Sequence, residues 1–396
     1  MKKIFLLFVV LTLPSLLFAQ KKQMAAARDQ IKTGKDLHIA EQSMRGLLKD
    51  SANRDNIKIW LLLAQSLERQ YAKANEKLYL KEKADTAAFF AVTKRLYETM
   101  SAFDSVEVRL SSSPDASLKY RERNAHFLHS IRPNLFNGGV FLMHKNDYAA
   151  AFTYFDTYIE SDHYPLFANQ DYVKNDALMP HAAYWATYCG YKLEKPDLIM
   201  KHIRLAERDN SMLNFLRQYE AEAFLMRGDT LGYVEALQRG FEEYPNFAFF
   251  FPRLVEYYSQ HNLYPEALVV CDKALAADST SILFQQTKAT VLLNLGRYDE
   301  CIDLSKQILE VSPDNAYAYL NLGLAYFDQA IEFERSSQRR TKRKNITELY
   351  KAALPNLERY RELAPDAKDK WLAPLYTIYL NLNMGKEFDA IDKLKN

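Results

Sequence analysis

A turn-like sequence recurs at steps of 34 residues, as Gly228-Asp229, as Asn262-Leu263-Tyr264-Pro265-Glu266-Ala267 and as Gly296-Arg297-Tyr298-Asp299-Glu300-Cys301. Pro245, Ser279 and Pro313 follow at the same spacing. A unit that begins at Asn214 is succeeded, without a gap, by units that begin at Ala248, Ile282 and Ala316. Self-similarity at a fixed period of this length is the sequence signature of a repeat architecture. The chain is therefore predicted to be an array of repeated units.

Small and aromatic residues occupy fixed positions within this unit. Small residues allow two helices to approach closely, aromatic residues fill the space between them, and a proline ends the second helix. The residues that match are Phe251, Leu254, Tyr258, Tyr264, Ala267 and Ala274 in the unit from Ala248, Gly296, Tyr298, Cys301, Ile308 and Pro313 in the unit from Ile282, and Tyr319, Leu322, Gly323 and Tyr326 in the unit from Ala316. This pattern resembles the tetratricopeptide repeat (TPR), a helix-turn-helix unit. The resemblance implies an all-α fold, a solenoid in which helix pairs stack into a right-handed superhelix.

Composition agrees with a helical array. The chain has 396 residues, of which only 11 are glycine and 13 are proline, so it is poor in the turn residues that a many-stranded β protein needs. Hydrophobic residues make up 48% and charged residues 26%, which excludes wholesale disorder. The net charge is only +2. Because the global charge is nearly balanced, nothing in it favours nucleic acid as a partner.

The repeat register divides the chain into segments of different regularity. Residues 20–131 contain helical periodicity without the regular unit, and residues 370–396 match the closing cap that shields the last apolar face of such an array. The predicted segments are 1–19 (signal peptide), 20–131 (irregular N-terminal helical repeats), 132–165 (repeat), 166–179 (connector), 180–213 (degenerate repeat), 214–247, 248–281 and 282–315 (repeats), 316–369 (repeat with a basic insertion) and 370–396 (C-terminal capping helices). The connector is polar and is expected to bulge from one face of the array.

Residues 1–19 have the pattern of a secretory signal peptide. Lys2 and Lys3 precede an apolar run over 4–13, and Leu17-Phe18-Ala19 is a suitable cleavage site before Gln20. A membrane anchor is the alternative, but an apolar run of this length is too short to span a bilayer. Since no cysteine lies near the cleavage site, lipid attachment is not expected there. The sequence thus predicts a periplasmic protein without an integral membrane segment after cleavage.

The sequence contains no recognisable catalytic or cofactor-binding motif. GxSxG, HExxH, GxxxxGK, GxGxxG and paired-cysteine metal sites are all missing. Glu122, His126 and His129 would lie on one side of a helix and could hold a metal, but no second helix completes a ligand set, and ordinary helix histidines are the favoured interpretation. We therefore predict no catalytic residues, no cofactor and no metal. Cys189, Cys271 and Cys301 are expected to be buried, unpaired thiols.

The resemblance to the tetratricopeptide repeat implies a concave surface on which ligands lie. In that family, the first helix of each stacked pair lines this surface. Aromatic residues mixed with amides and acids on that surface suit an extended peptide or a helix. For each single residue, packing between neighbouring units is the competing interpretation. The predicted groove residues are Tyr184, Tyr188, Lys192, Phe215, Gln218, Glu222, Phe249, Glu256, Gln260, Gln286, Asn294, Tyr317, Phe327 and Asp328.

The last full unit contains an insertion with a strongly basic tract over 335–344. Gly323 and Ala353 are thirty residues apart, where the repeat pattern has about twelve. The surplus predicts a hairpin extension or an exposed loop, which could bind acidic protein, lipid phosphate or anionic glycan or could be a solvated extension without a partner. Its basic residues are Arg335, Arg339, Arg340, Lys342, Arg343 and Lys344.

Two functional hypotheses follow from these features. The first is a non-enzymatic periplasmic scaffold or adaptor whose groove binds other exported or envelope proteins and assists their assembly or secretion. The second is a glycan or cell-wall binder that uses the groove aromatics as stacking platforms. The leader, the repeats and the missing catalytic motifs favour the first hypothesis.

Overall fold

The computed structural model describes the backbone of residues 2–113, 117–336 and 342–394, and the side chains within these ranges from Phe18 onwards. Over this part of the chain the structure consists of α-helices, short 3-10 turns and loops, without a β-strand. The all-α prediction is therefore confirmed. The contacts divide the chain into two compact units, residues 1–230 and residues 231–396.

The first unit contains twelve α-helices in its described residues. The helices are α1 (Lys2–Thr33), α2 (Leu37–Leu48), α3 (Ile57–Tyr79), α4 (Thr86–Leu110), α5 (Arg121–Ile131), α6 (Pro133–His144), α7 (Tyr148–Glu160), α8 (Tyr172–Asn175), α9 (Met179–Lys192), α10 (Pro196–Lys201), α11 (Ile203–Ala206) and α12 (Leu213–Met226). Successive helices pack against one another, as α2 does on α3, α6 on α7 and α9 on α10. From residue 133 onwards, the helices of this unit are arranged as pairs.

The second unit continues the same order of paired helices. Its helices are α13 (Thr230–Glu243), α14 (Phe250–Gln260), α15 (Tyr264–Ala277), α16 (Ile282–Asn294), α17 (Tyr298–Val311), α18 (Ala316–Arg335), α19 (Arg343–Leu363), α20 (Lys368–Asn381) and α21 (Gly385–Asp392). Several helices begin at a side-chain cap, since Ser281 accepts a hydrogen bond from the backbone of Phe284, and Asn315 from that of Ala318. Such caps satisfy amides that the first turn leaves without helical partners.

The 34-residue period is visible in the backbone of the turns. Glu194, Gly228, Asn262 and Gly296 each lie between two successive helices and adopt left-handed conformations, with φ of 54°, 69°, 57° and 71°. Glycine and asparagine tolerate this region more readily than other residues, which explains why they recur in the sequence motif. The turn therefore keeps its geometry at Glu194 although the sequence motif is lost there.

Small residues mark the places where paired helices approach most closely. A Cβ added to Gly139 would lie 2.7 Å from the ring of Phe155, and one added to Gly323 would lie 2.7 Å from Leu357. Both glycines are at the small-residue position of the repeat pattern. The contacts confirm the role that the sequence predicted for Gly323.

The connector over 166–179 does not bulge from the array, contrary to the prediction. Leu166, Phe167 and Tyr172 are buried in the same hydrophobic core as α6, α7 and α9. Three large apolar side chains lie among the polar residues of the connector, and their burial stabilises its packing against the core. The connector is therefore part of the first unit's core.

The extra residues of the basic insertion lengthen two helices. Helix α18 continues to Arg335 and α19 begins at Arg343, so each is about 20 residues long where neighbouring helices have about 14. Of the two forms that the sequence allowed, the structure has the hairpin extension. The long arms pack on each other through buried residues that include Ile346 and Tyr350.

Helix α1 covers the predicted leader and continues to Thr33. Its C-terminal half packs on the core through Met24 and Ala27. Within the described ranges, no helix has both the length and the apolar character needed to cross a bilayer. Removal of residues 1–19 stays a prediction. The sequence also predicts a helix start with Ser113 as the N-cap and Pro114 at the first helical position. Pro114 lies outside the described residues, and the next helix that the structure describes begins at Arg121.

The three cysteines are free and buried, as predicted. Burial raises the pKa of Cys189 and Cys271 to about 12 and that of Cys301 to about 11. The three groups are therefore protonated thiols at neutral pH, with neither the exposure nor the thiolate character of reactive cysteines.

Candidate functional site

The first unit carries a cluster of aromatic side chains on α7, α9 and α12. We name it the aromatic surface and define it by Tyr148 on α7, Tyr184, Trp185, Tyr188 and Tyr191 on α9, and Phe215 and Tyr219 on α12. Three of these seven residues, Tyr184, Tyr188 and Phe215, belong to the predicted groove. The other four were missed: Tyr148, Tyr191 and Tyr219 join the cluster through rings on other helices, and Trp185 packs on Tyr184 and Tyr188 of its own helix.

Tyr219 is at the centre of the aromatic surface. Its ring stacks on that of Tyr191, with centroids 4.6 Å apart, and lies 6.1 to 6.4 Å from the rings of Tyr184, Tyr188 and Phe215. Tyr184 and Tyr219 are buried and form the floor of the cluster. Aromatic pairs at these separations stabilise one another by about 0.5–1.5 kcal/mol beyond the area they bury. The floor therefore fixes the positions of the rings above it.

The remaining rings are partly exposed to solvent. Tyr188 meets Trp185 and Tyr148 nearly at right angles, with interplanar angles of 85° and 79°. Phe215 is 37% exposed. The ammonium of Lys192, another predicted groove residue, lies 5.7 Å from the centre of the Tyr148 ring. These side chains therefore keep part of their surface accessible to a partner.

Burial favours the protonated form of three phenol groups in this cluster. It is the largest cause that raises the pKa of Tyr184, Tyr188 and Tyr219 above the ordinary value of tyrosine. A protonated phenol is a hydrogen-bond donor as well as an acceptor. The aromatic surface therefore combines apolar area with neutral polar groups, which is the composition of protein-binding hot spots.

The other groove residues of the first unit lie on α12. Gln218 and Glu222 are partly exposed, one turn apart, on the helix that carries Phe215 and Tyr219. Residues with this spacing share a helix face. Gln218 and Glu222 therefore lie on the helix that carries Phe215 and Tyr219, and their place in a binding groove stays a prediction.

In the second unit three predicted residues meet at one depression. Gln286, Asn294 and Tyr317 line a hollow of about 210 Å³ together with Val255 and Thr290. Tyr317 is 50% exposed, and the ammonium of Lys370 lies 5.3 Å from its ring centre. This hollow is small and shallow compared with ligand pockets, which have volumes of about 300–1,000 Å³.

The remaining predicted residues of the second unit do not join this hollow. The ring of Phe249 is buried, packed at 87° on Phe250 and covered by the guanidinium of Arg253 at 3.8 Å, so the groove assignment of Phe249 is corrected to a packing role. Glu256 and Gln260 are exposed and hydrogen-bond to each other. Phe327 and Asp328 are partly buried, and Phe327 packs on Tyr350.

The described basic residues of the insertion lie at the tips of the long hairpin. Arg335 is exposed at the end of α18, and Arg343 and Lys344 are exposed in the first turn of α19. The ammonium of Lys342 lies 3.8 Å from the centre of the Phe333 ring. Arg339 and Arg340 lie outside the described residues.

The histidines that the sequence singled out do not form a metal site with Glu122. His129 Nδ1 lies 2.7 Å from the hydroxyl of Tyr172 in a hydrogen bond, and the two rings stack. Its ring is thus used in packing α5 on the connector.

A larger cavity, of about 660 Å³, lies between α2, α3 and the start of α4. Its lining mixes lysines with acids, and Lys73 donates a hydrogen bond to the carbonyl of Gly34. Asp85, also in the lining, caps α4. Because charges of both signs line the cavity, it does not favour a ligand of one charge. Sequence reasoning missed this cavity, since no motif marks it.

Comparisons with known proteins returned similarities of fold. No family model and no curated protein matches the chain. The C-terminal part of a TPR repeat-containing protein from Cytophaga hutchinsonii is 17% identical, with a TM-score of 0.44, over 65% of this chain and 93% of that one. Yeast Tom70 is 14% identical, with a TM-score of 0.35, over 93% and 89%. The TPR2AB domain of yeast Sti1, in complex with pHSP90, is 13% identical, with a TM-score of 0.23, over 64% and 98%.

The chain's own features establish its fold. Helix pairs follow one another from residue 133, their turns repeat every 34 residues from Glu194 to Gly296, and glycines allow close approach within the pairs. These are the properties of stacked helix-turn-helix repeats. The protein therefore has the tetratricopeptide-repeat fold.

Proposed function

We propose that this chain is a non-enzymatic scaffold that binds other proteins through the aromatic surface of its first unit. The supporting observation is the cluster of rings on α7, α9 and α12, fixed from below by Tyr219 and partly exposed above. Tyrosine and tryptophan supply large contact areas at little cost in conformational entropy, and they are enriched at binding hot spots. The partner is an apolar peptide segment or the apolar face of a helix.

A triple variant tests the aromatic surface. We expect Tyr188→Ala, Tyr191→Ala and Phe215→Ala together to weaken partner binding by more than tenfold, because hot-spot truncations each cost about 2 kcal/mol or more. Partners are first captured by crosslinking and mass spectrometry in native cells, and the affinity of each purified partner is then measured by calorimetry.

Tyr79→Ala is the matched control. Tyr79 is 85% exposed, lies in the first unit and is not part of the aromatic surface. Partner affinities that stay unchanged in the folded triple variant would refute the assignment. Binding of a glycan array, with no protein partner, would instead support the second hypothesis from the sequence.

We further propose that the scaffold works in the periplasm, on exported or envelope proteins, and assists their assembly or secretion. The pattern of Lys2 and Lys3, an apolar run and Ala19 before Gln20 supports export. We expect the N-terminal sequence of the protein from cell envelopes to begin at Gln20. An N-terminus that still contains residues 1–19, in a protein recovered from the cytoplasm, would contradict this proposal.

A further inference from the structure

Three potential metal ligands converge between α7 and the junction of α10 and α11. Asp156 and Glu160 are one turn apart on α7 and so share a face. His202 lies 46 residues beyond Asp156, and its Nε2 is 2.7 Å from Asp156 Oδ1 and 4.0 Å from Glu160 Oε1. One ligand atom from each of the three residues lies within 4.8 Å of the other two.

The backbone directs His202 into this group. The helix is interrupted at His202, where φ is −118° and ψ is 7°, and it restarts at Ile203. Neither proline nor glycine, which commonly cause kinks, occupies the break. The imidazole is 8% exposed and stacks on Phe152 at an interplanar angle of 28°. The ring is therefore held in place with its Nε2 directed at the carboxylates.

Carboxylates outnumber the ammonium group beside them in this cluster. Two carboxylates face the single ammonium of Lys201, which lies 2.5 Å from Asp156 and 3.3 Å from Glu160. One ammonium thus leaves a negative potential in the cluster.

The ammonium of Lys201 and the imidazole of His202 both contact Oδ1 of Asp156. The Lys201 side chain is 40% exposed, so its ammonium can move into solvent when another cation enters. A divalent ion would then neutralise both carboxylates.

We propose that Asp156, Glu160 and His202 form a binding site for Zn²⁺, which displaces the ammonium of Lys201. One imidazole nitrogen and two carboxylate oxygens are ligands that zinc uses, and three protein ligands leave one coordination position open. The ion would link α7 to the α10–α11 junction. The thiols of Cys189, Cys271 and Cys301 are buried and protonated and do not compete for the ion.

Calorimetric titration of the metal-stripped full chain with zinc chloride tests this site. We expect one zinc ion per chain. Glu160→Gln and His202→Ala should each weaken the affinity by about tenfold or more, since even the loss of an outer-shell partner costs about 10–100-fold. Lys201→Met should tighten binding, because it removes the competing cation.

His163→Ala is the matched control, because His163 is 72% exposed and lies outside the group. Its affinity for zinc should equal that of the wild type. If His202→Ala does not fold, the zinc affinities of Glu160→Gln and Lys201→Met test the site instead. Both side chains are partly exposed, so their replacement should leave the protein folded. The proposal is overturned if zinc does not bind, if Glu160→Gln binds it as the wild type does, or if His163→Ala loses it.

Discussion

Replacement of Arg132 by methionine is expected to lower the free energy of unfolding of the first unit by about 3–5 kcal/mol, the cost of breaking a buried ion pair by removal of one partner. The Arg132 side chain is 5% exposed, and it pairs with Asp176, which is 17% exposed. Methionine preserves most of the side-chain volume. It leaves the carboxylate of Asp176 without its cation.

The surroundings of Arg132 explain why the effect should be large. Its guanidinium lies between two rings, 3.6 Å from the centre of Tyr158 and 3.9 Å from that of Tyr172. It also donates hydrogen bonds to the carbonyl of Tyr158 and the hydroxyl of Ser161. Arg132 therefore joins the start of α6, the end of α7 and the connector in one network, and cation–π contacts add to it.

Protonation of Asp176 gives this prediction a dependence on pH. Burial opposes ionisation of Asp176, but hydrogen bonds from Tyr158 and Arg132 outweigh it, and the pKa of Asp176 is lowered. A carboxyl whose pKa is lower in the folded state contributes stability above its unfolded pKa and loses it as the pH falls through the folded pKa. The difference between wild type and Arg132→Met should therefore shrink in acid.

Urea denaturation followed by circular dichroism measures both effects. Arg109→Met is the matched control, because its ion pair with Asp55 is exposed, and exposed pairs contribute about 0–1 kcal/mol. In a double-mutant cycle, Asp176→Asn should cost less in the methionine variant than in the wild type. Equal losses in Arg132→Met and Arg109→Met would show that the network is not important for stability.

The sequence was sufficient to predict the repeat but not the contacts between its units. The 34-residue period, the all-α class and the packing role of Gly323 came from residues that recur at fixed positions. Arg132, in contrast, was only the first residue of a predicted unit. Its partner Asp176 is 44 residues away in a connector that looked exposed, because its few apolar residues are dispersed among polar ones.

The sequence predicted only part of the candidate site, because it did not reveal the contacts between helices. Register along a helix identified Tyr188 and Phe215, whereas Tyr148 and Tyr219 join the aromatic surface through contacts with other helices. Phe249 has the periodicity of a groove residue, but its own neighbours bury it. Periodicity predicts which side of a helix a residue occupies. It does not predict how the next helix covers that side.

Gly190→Ala is expected to destabilise the first unit by about 3 kcal/mol, at the upper end of the usual cost of overpacking. An added Cβ would lie 2.6 Å from the backbone nitrogen of Ile199 and 2.8 Å from the carbonyl carbon of Leu198. At Gly139 and Gly323 the added atom would chiefly meet side chains, which can move. At Gly190 it meets backbone, so α9 and α10 themselves would have to separate.

Such a separation should also affect binding, because α9 carries four residues of the aromatic surface. Gly46→Ala is the control: nothing lies within 4 Å of its added Cβ, and alanine at this exposed position should stabilise helix α2 by up to about 1 kcal/mol. Urea denaturation should therefore give changes of opposite sign for the two substitutions. A Gly190→Ala protein as stable as the wild type would mean that α9 and α10 are not in backbone contact, and the position of the aromatic surface would then need another explanation.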